Sequence, residues 1–222
     1  CIRDSSGAGE PGVTATWWDY GGTSAAIPGN TNGNGVLLNV MDGKHTSVLI
    51  TVTYEDATTP HKQQNPTTNS FYIWQMVSAT VQLQDNNGVI ISGAAPIVYY
   101  WPYGRPEQTF GTMVDGQVTK DLLPGVSYLF KIKDWQGSNQ QLGPITIGPV
   151  NVVVFQCGKV VDGGFGCDVY WQYGGPTKTF TEGIQLLPGN FYFKDTGTGT
   201  TKNLQVKAGQ TLNIQTGAYT TP

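Results

Sequence analysis

Apolar residues recur along the chain with a period of two, in short runs bounded by Gly, Asn, Asp and Pro. That pattern predicts strands joined by tight turns rather than helices. Thr80-Val81-Gln82-Leu83-Gln84 alternates, and Asp85-Asn86-Asn87-Gly88 follows it as a turn, because Asn and Gly accept positive φ. Val98 to Trp101 is an aromatic strand, and Asp115-Gly116 marks another turn. Pro124 lacks a ladder donor, so Leu122-Leu123-Pro124-Gly125 forms a corner before the next strand. Further strands are expected around Ile145-Thr146-Ile147, Val152-Val153-Val154, Leu204-Gln205-Val206 and Leu212-Asn213-Ile214. In the first part of the chain they are expected at 13–20, 36–40, 48–54 and 71–77, with a polar loop at 60–69.

One pattern occurs twice. Tyr100-Trp101-Pro102-Tyr103-Gly104-Arg105-Pro106 is answered seventy positions later by Tyr170-Trp171-Gln172-Tyr173-Gly174-Gly175-Pro176, and the register holds through Thr109-Phe110 and Thr179-Phe180. Leu122-Leu123-Pro124-Gly125 recurs as Leu186-Leu187-Pro188-Gly189, each ahead of an aromatic strand, Tyr128-Leu129-Phe130-Lys131 or Phe191-Tyr192-Phe193-Lys194. The expected organisation is an N-terminal β region at 1–78, a first sandwich repeat at 79–154 and a second at 155–222. The N-terminal region fits the repeat poorly, although Trp18-Asp19-Tyr20-Gly21-Gly22 echoes its signature. It has too few strands to close a sandwich alone, so it borrows pairing from its neighbour or from another molecule.

Composition narrows the function classes. With 30 Gly and 13 Pro in 222 residues, a helical bundle is excluded; at 11% aromatic, the chain buries enough apolar surface to order itself. A net charge of −3 with 12 Lys and Arg offers no field for phosphates, so nucleic acid is not an expected partner. No apolar run approaches the ~20 residues of a transmembrane helix. The chain has no charged and apolar leader, which leaves an intracellular protein or a processed secreted one; low Lys and Glu with many Thr, Asn and Gly favour the extracellular or cell-surface reading.

The order strand, Asp-x-x-Gly turn, aromatic strand, Asp-Gly, Leu-x-Pro-Gly-x-x-Tyr/Phe resembles the prealbumin-like domains of bacterial surface proteins, the Cna-B and carboxypeptidase-regulatory-like group. The match is clearest over 81–132; the second copy keeps Leu187-Pro188-Gly189 but has Glu182-Gly183 in place of Asp115-Gly116. The resemblance implies an all-β fold of tandem Greek-key (prealbumin/Ig-like) β-sandwiches serving as stalks, pilin parts or adhesin modules. Some such domains carry a Lys to Asn isopeptide bond; Lys120, Lys131 and Lys194 have no identifiable Asn partner here.

Three cysteines are present, Cys1, Cys157 and Cys167. Cys157 and Cys167 flank a Gly-rich loop between apparent antiparallel strands, so a disulfide is expected, against the alternative of two buried thiols. Cys1 is compatible with lipid attachment, with an intermolecular disulfide, and with an artificial start to the chain. The segment Val13, Thr14, Thr16, Trp17, Trp18 and Tyr20 is rich in β-formers and flanked by flexible tethers at 5–12 and at the Gly-, Asn- and Pro-rich 21–35, so it is expected to donate a strand to another copy of the chain, giving a homo-polymer. The competing reading is an ordinary first strand of its own sandwich.

Catalysis finds no support in the pattern. Glu55 and Asp56 are adjacent on an expected strand end and point to opposite faces; His45 and His61 have no nucleophile beside them. Asn30-Thr31-Asn32-Gly33-Asn34-Gly35 imitates a calcium loop, but position twelve falls on Met41, so it reads as a turn and no metal or cofactor is expected. In Trp101, Tyr103, Trp171 and Tyr173, strand alternation forces some rings outward, where they stack on sugars or pack against another subunit. A glycan-binding accessory module is therefore the alternative to a structural surface protein.

Overall fold

The computed structural model describes residues 2–18, 24–27, 29–36, 48–59, 62–64, 74–148 and 151–222. Cys1, Tyr20, His45, His61 and most of the expected elements at 36–40 and 60–69 lie outside them. Within the described residues all regular structure is strand, arranged as tandem β-sandwiches. No helix there is long and apolar enough to cross a membrane.

The first unit contains β1 (Ile2–Arg3), β2 (Thr14–Trp18), β3 (Ser24–Ile27), β4 (Val48–Tyr54), β5 (Ala57–Thr58), β6 (Lys62–Gln64) and β7 (Trp74–Gln75). The second contains β8 (Val77–Gln84), β9 (Ile97–Pro102), β10 (Gln108–Thr112), β11 (Gln117–Leu122), β12 (Ser127–Trp135), β13 (Ser138–Thr146) and β14 (Asn151–Gln156). The third contains β15 (Gly158–Val161), β16 (Val169–Gln172), β17 (Lys178–Thr179), β18 (Ile184–Leu186), β19 (Gly189–Lys194), β20 (Thr201–Val206), β21 (Thr211–Asn213) and β22 (Tyr219–Thr220).

Strand order shows that the first unit repeats the other two. One sheet runs β10-β9-β12-β13 in the second unit and β17-β16-β19-β20 in the third; in the first, β3-β2-β4 continues into β5 and β6. The opposing sheet is β11-β8-β14 in the second and β18-β15-β21-β22 in the third, with the parallel pair β1-β7 in the first. The turn after the leading strand also recurs. Asp4 Oδ1 accepts from Ala8 N at 2.7 Å, Asp85 Oδ1 from Val89 N at 2.9 Å, and Asp162 Oδ1 from Cys167 N at 2.7 Å. An Asp side chain folding back on N–H groups ahead of it closes such turns locally, so 5–12 is a folded turn and not the expected tether.

Alternation sets the core. On β8, Ala79, Val81 and Leu83 are fully buried while their neighbours face outward. Tyr100, Phe110, Tyr128 and Phe130 interlock in the second unit, and Tyr170, Phe180, Phe191 and Phe193 take the equivalent places in the third. Burying each fully enclosed ring contributes about 1.5–3 kcal/mol. The third unit has its own core, whereas buried residues of the first and second merge into one. The first unit thus borrows packing from its neighbour, as its short strands require.

The cysteines and the first long strand also differ from expectation. Cys157 and Cys167 are free thiols, not a disulfide. The strands near them do not pair, because β15 lies in the sheet with β18 and β21 while β16 lies in the other sheet with β17 and β19. Cys157 is wholly buried in the core of the first two units, and Cys167 packs against the third core with its Sγ donating to Val169 O at 3.4 Å. The segment expected to be donated lies within its own chain's sheet: β2 pairs with β3 through Ala15–Trp18 and with β4 through Thr14–Trp18, so Thr14, Thr16, Trp17 and Trp18 stand in an interior strand. Val13, just ahead, is buried, with its N–H donated to Thr31 Oγ1.

Candidate functional site

At the junctions between units, side-chain hydrogen bonds join distant parts of the chain. Each linker is a single residue, Met76 between β7 and β8 and Cys157 between β14 and β15. Both are buried, and each donates its N–H to the leading strand of the preceding unit, Met76 to Arg3 O and Cys157 to Gln84 O, both at 2.8 Å.

The contacts around these linkers match position for position. At the first junction Ser5 N donates to Asp121 Oδ2 at 2.9 Å; at the second, Asn86 N donates to Gln185 Oε1 at 3.2 Å. Gln75 and Gln156, ending the last strands, each donate from Nε2 to the carbonyl of that turn residue, Ser5 or Asn86. The Tyr100 hydroxyl donates to Glu55 Oε2 at 2.5 Å, and the Tyr170 hydroxyl donates to Gln136 O at 2.8 Å. Gln108 Nε2 reaches Asp56 Oδ2 at 3.0 Å, where the third unit has Lys178 Nζ 3.7 Å from Asp134 Oδ1. The accepting hairpin turns are held by positive φ at Glu55 and Asp56 and at Asp134 and Gln136. Glu55 and Asp56 therefore occupy a turn, not opposite faces of a strand end, and both serve the junction. Burial, then the bond to Glu55, raises the pKa of Tyr100; burial alone dominates at Tyr170, pushed up to about 12.

The expected aromatic platforms divide by register. Trp101 and Trp171 are half-buried on their strands, Trp171 stacked on Tyr192 with centroids 5.3 Å apart. Tyr103 and Tyr173 stand on tight turns closed by Arg105 N to Pro102 O and Gly175 N to Gln172 O, with positive φ at Gly104 and Gly174. Tyr103 is 72% exposed and Tyr173 82%.

Beside Tyr103 an open cleft of about 550 Å3 lies between the first and second units. Its walls combine Trp18, at the end of β2, with Tyr103, Asp56, Arg105, Thr51 and Thr58. Trp101, Trp171 and Tyr173 do not line it. Sequence reasoning missed Arg105, Asp56, Thr51 and Thr58 because they meet Tyr103 only through the junction. The available signal was the departure of the two copies from each other, Pro102 and Arg105 against Gln172 and Gly175.

No family model matches the chain, and no curated protein does. Among solved structures, the Bacillus anthracis TIE protein aligns over 96% of this chain and 48% of its own, with 12% identity and a TM-score of 0.24. The chain spans about half the length of that protein, and a likeness this weak carries no argument about function.

Proposed function

We propose that this chain is a non-catalytic structural protein of the cell surface: a stiff spacer of three β-sandwiches within an extracellular filament or adhesive appendage. The observation that supports it is the junction repeated position for position around a buried one-residue linker. A linker of one buried residue has almost no conformational freedom, whereas independently moving domains are joined by longer polar segments. Each junction adds side-chain bonds on both sides of that linker, so the units turn as one body.

Small-angle scattering of the purified chain tests the stiffness, with one sharply defined maximum dimension expected. Protease shaving of intact producing cells tests the location, and electron microscopy of the assembled surface tests the filament. A broad distribution of dimensions, or protection of the chain in intact cells and release only on lysis, refutes the proposal.

A further inference from the structure

The two junctions are built on one plan but differ at the turns that carry Tyr103 and Tyr173. At the second, Gln172 Oε1 accepts from the Asn139 backbone N–H at 2.9 Å, joining the turn below Tyr173 to the preceding unit. Gly175 lies so close that an added Cβ would stand 3.6 Å from Gly137 O. At the first junction the same positions hold Pro102, whose side chain has no polar atom, and Arg105. Among the described residues nothing bridges there as Gln172 does, and the cleft opens at that point.

We propose that this cleft binds a neutral oligosaccharide. Trp18 and Tyr103, from different units, present ring surface at 36% and 72% exposure, and a pyranose ring offers C–H faces that pack on such surfaces while its hydroxyls point outward to polar groups. The polar groups are of both kinds a hydroxyl needs. Asp56 accepts from Gln108 through Oδ2, which leaves Oδ1 for a ligand. The Arg105 guanidinium is engaged by no ion pair among the described residues and supplies donors. Thr58 adds an exposed hydroxyl, 2.9 Å from Thr53 Oγ1, with capacity for one more bond, while Thr51 lies largely buried in the wall. One carboxylate and one guanidinium leave the cleft without a strong field, which favours an uncharged glycan over a uronate or sulfated one. The open walls fit a chain of sugars passing through, not an enclosed apolar ligand.

The test is retention of the full chain on immobilised cello-, xylo-, manno- and chito-oligosaccharides, with polygalacturonate and a proline-rich peptide in parallel. Retention on at least one neutral glycan is expected, weakened about tenfold or more by Tyr103→Ala and by Arg105→Ala. Tyr173→Ala, at the equivalent turn outside the cleft, retains wild-type binding. Circular dichroism and the thermal midpoint confirm that each variant is folded, and both exposed turn positions tolerate truncation. Absence of retention on every neutral glycan, binding confined to polygalacturonate or to the peptide, or equal loss in Tyr173→Ala overturns the proposal.

Discussion

Replacing Tyr100 by Phe removes one hydroxyl from the first junction and leaves the buried ring in place. That hydroxyl donates to a carboxylate that also receives Lys120 Nζ at 3.1 Å. A hydrogen bond to a charged group contributes about 1.5–3 kcal/mol. Glu55 and Lys120 expose 31% and 27% of their side chains, so water partly replaces the lost donor, which places the expected cost at the low end, about 1.5 kcal/mol. Tyr170→Phe at the second junction loses a bond to the neutral carbonyl of Gln136 and should cost about 1 kcal/mol or less. Urea unfolding followed by tryptophan fluorescence reads both, Tyr100→Phe in a transition of the first two units, which share a core, and Tyr170→Phe in that of the third, which has its own. Combining Tyr100→Phe with Glu55→Gln isolates the pair, with an expected coupling of about 1 kcal/mol. The reasoning is refuted if Tyr100→Phe costs less than Tyr170→Phe, or if the two substitutions add without coupling.

Reductant should leave the unfolding midpoint unchanged, and both thiols should resist a thiol reagent near neutral pH until the chain is denatured, since burial pushes Cys157 up to about 12 and Cys167 up to about 11; a fall in midpoint on reduction would restore the disulfide. Gly158→Ala should cost about 2 kcal/mol by overpacking in a thermal or urea melt, because its new Cβ would stand 2.3 Å from Lys207 O; an unchanged midpoint would show that the backbone there gives way. Toward alkaline pH, Cys157 and Tyr170 keep their protons in the folded chain after the unfolded chain has lost them, so urea midpoints should hold below pH 9, the ordinary thiol value, and fall steadily above it. In acid the sign reverses for Asp162: burial pushes its pKa up, but the N–H groups of Gly166, Cys167, Gly164 and Phe165 outweigh this and lower it. Its contribution is present above the ordinary carboxylate value and disappears as the pH drops through the lower folded one, so Asp162→Asn should flatten the acid limb of the midpoint curve.

Much of the fold was legible because turn chemistry is local. The Asp-x-x-Gly turn and the Leu-Leu-Pro-Gly corner announce themselves through residues that satisfy their own backbone, and Leu122, Leu123, Leu186 and Leu187 are buried as that corner requires. The first unit was harder to see because Trp17 stands where the later copies have Tyr100 and Tyr170, so its likeness lies in strand order. The disulfide expectation failed because sequence neighbours in a sandwich often belong to opposite sheets: β15 and β16 follow each other along the chain without pairing. The junctions had no signature of their own. Ser5 and Asn86 both use a backbone N–H, and Asp121 and Gln185 both supply a side-chain oxygen, so chemically different residues make the same contact.

In the first two units the leading strand lies parallel to the closing one, β1 beside β7 and β8 beside β14. Tension on the chain enters a unit at the start of the leading strand and leaves at the end of the closing strand, at opposite ends of the ladder. The load therefore slides one strand along the other and strains the bridging bonds together, where a hairpin pulled from one end opens bond by bond. Resistance then scales with ladder length, which among the described residues is six registered pairs in the second unit and two in the first. Under rising force the second unit holds longer than the first, and the third, which the chain leaves through the antiparallel β22, lacks this shear geometry, so the middle of the spacer is its mechanical anchor.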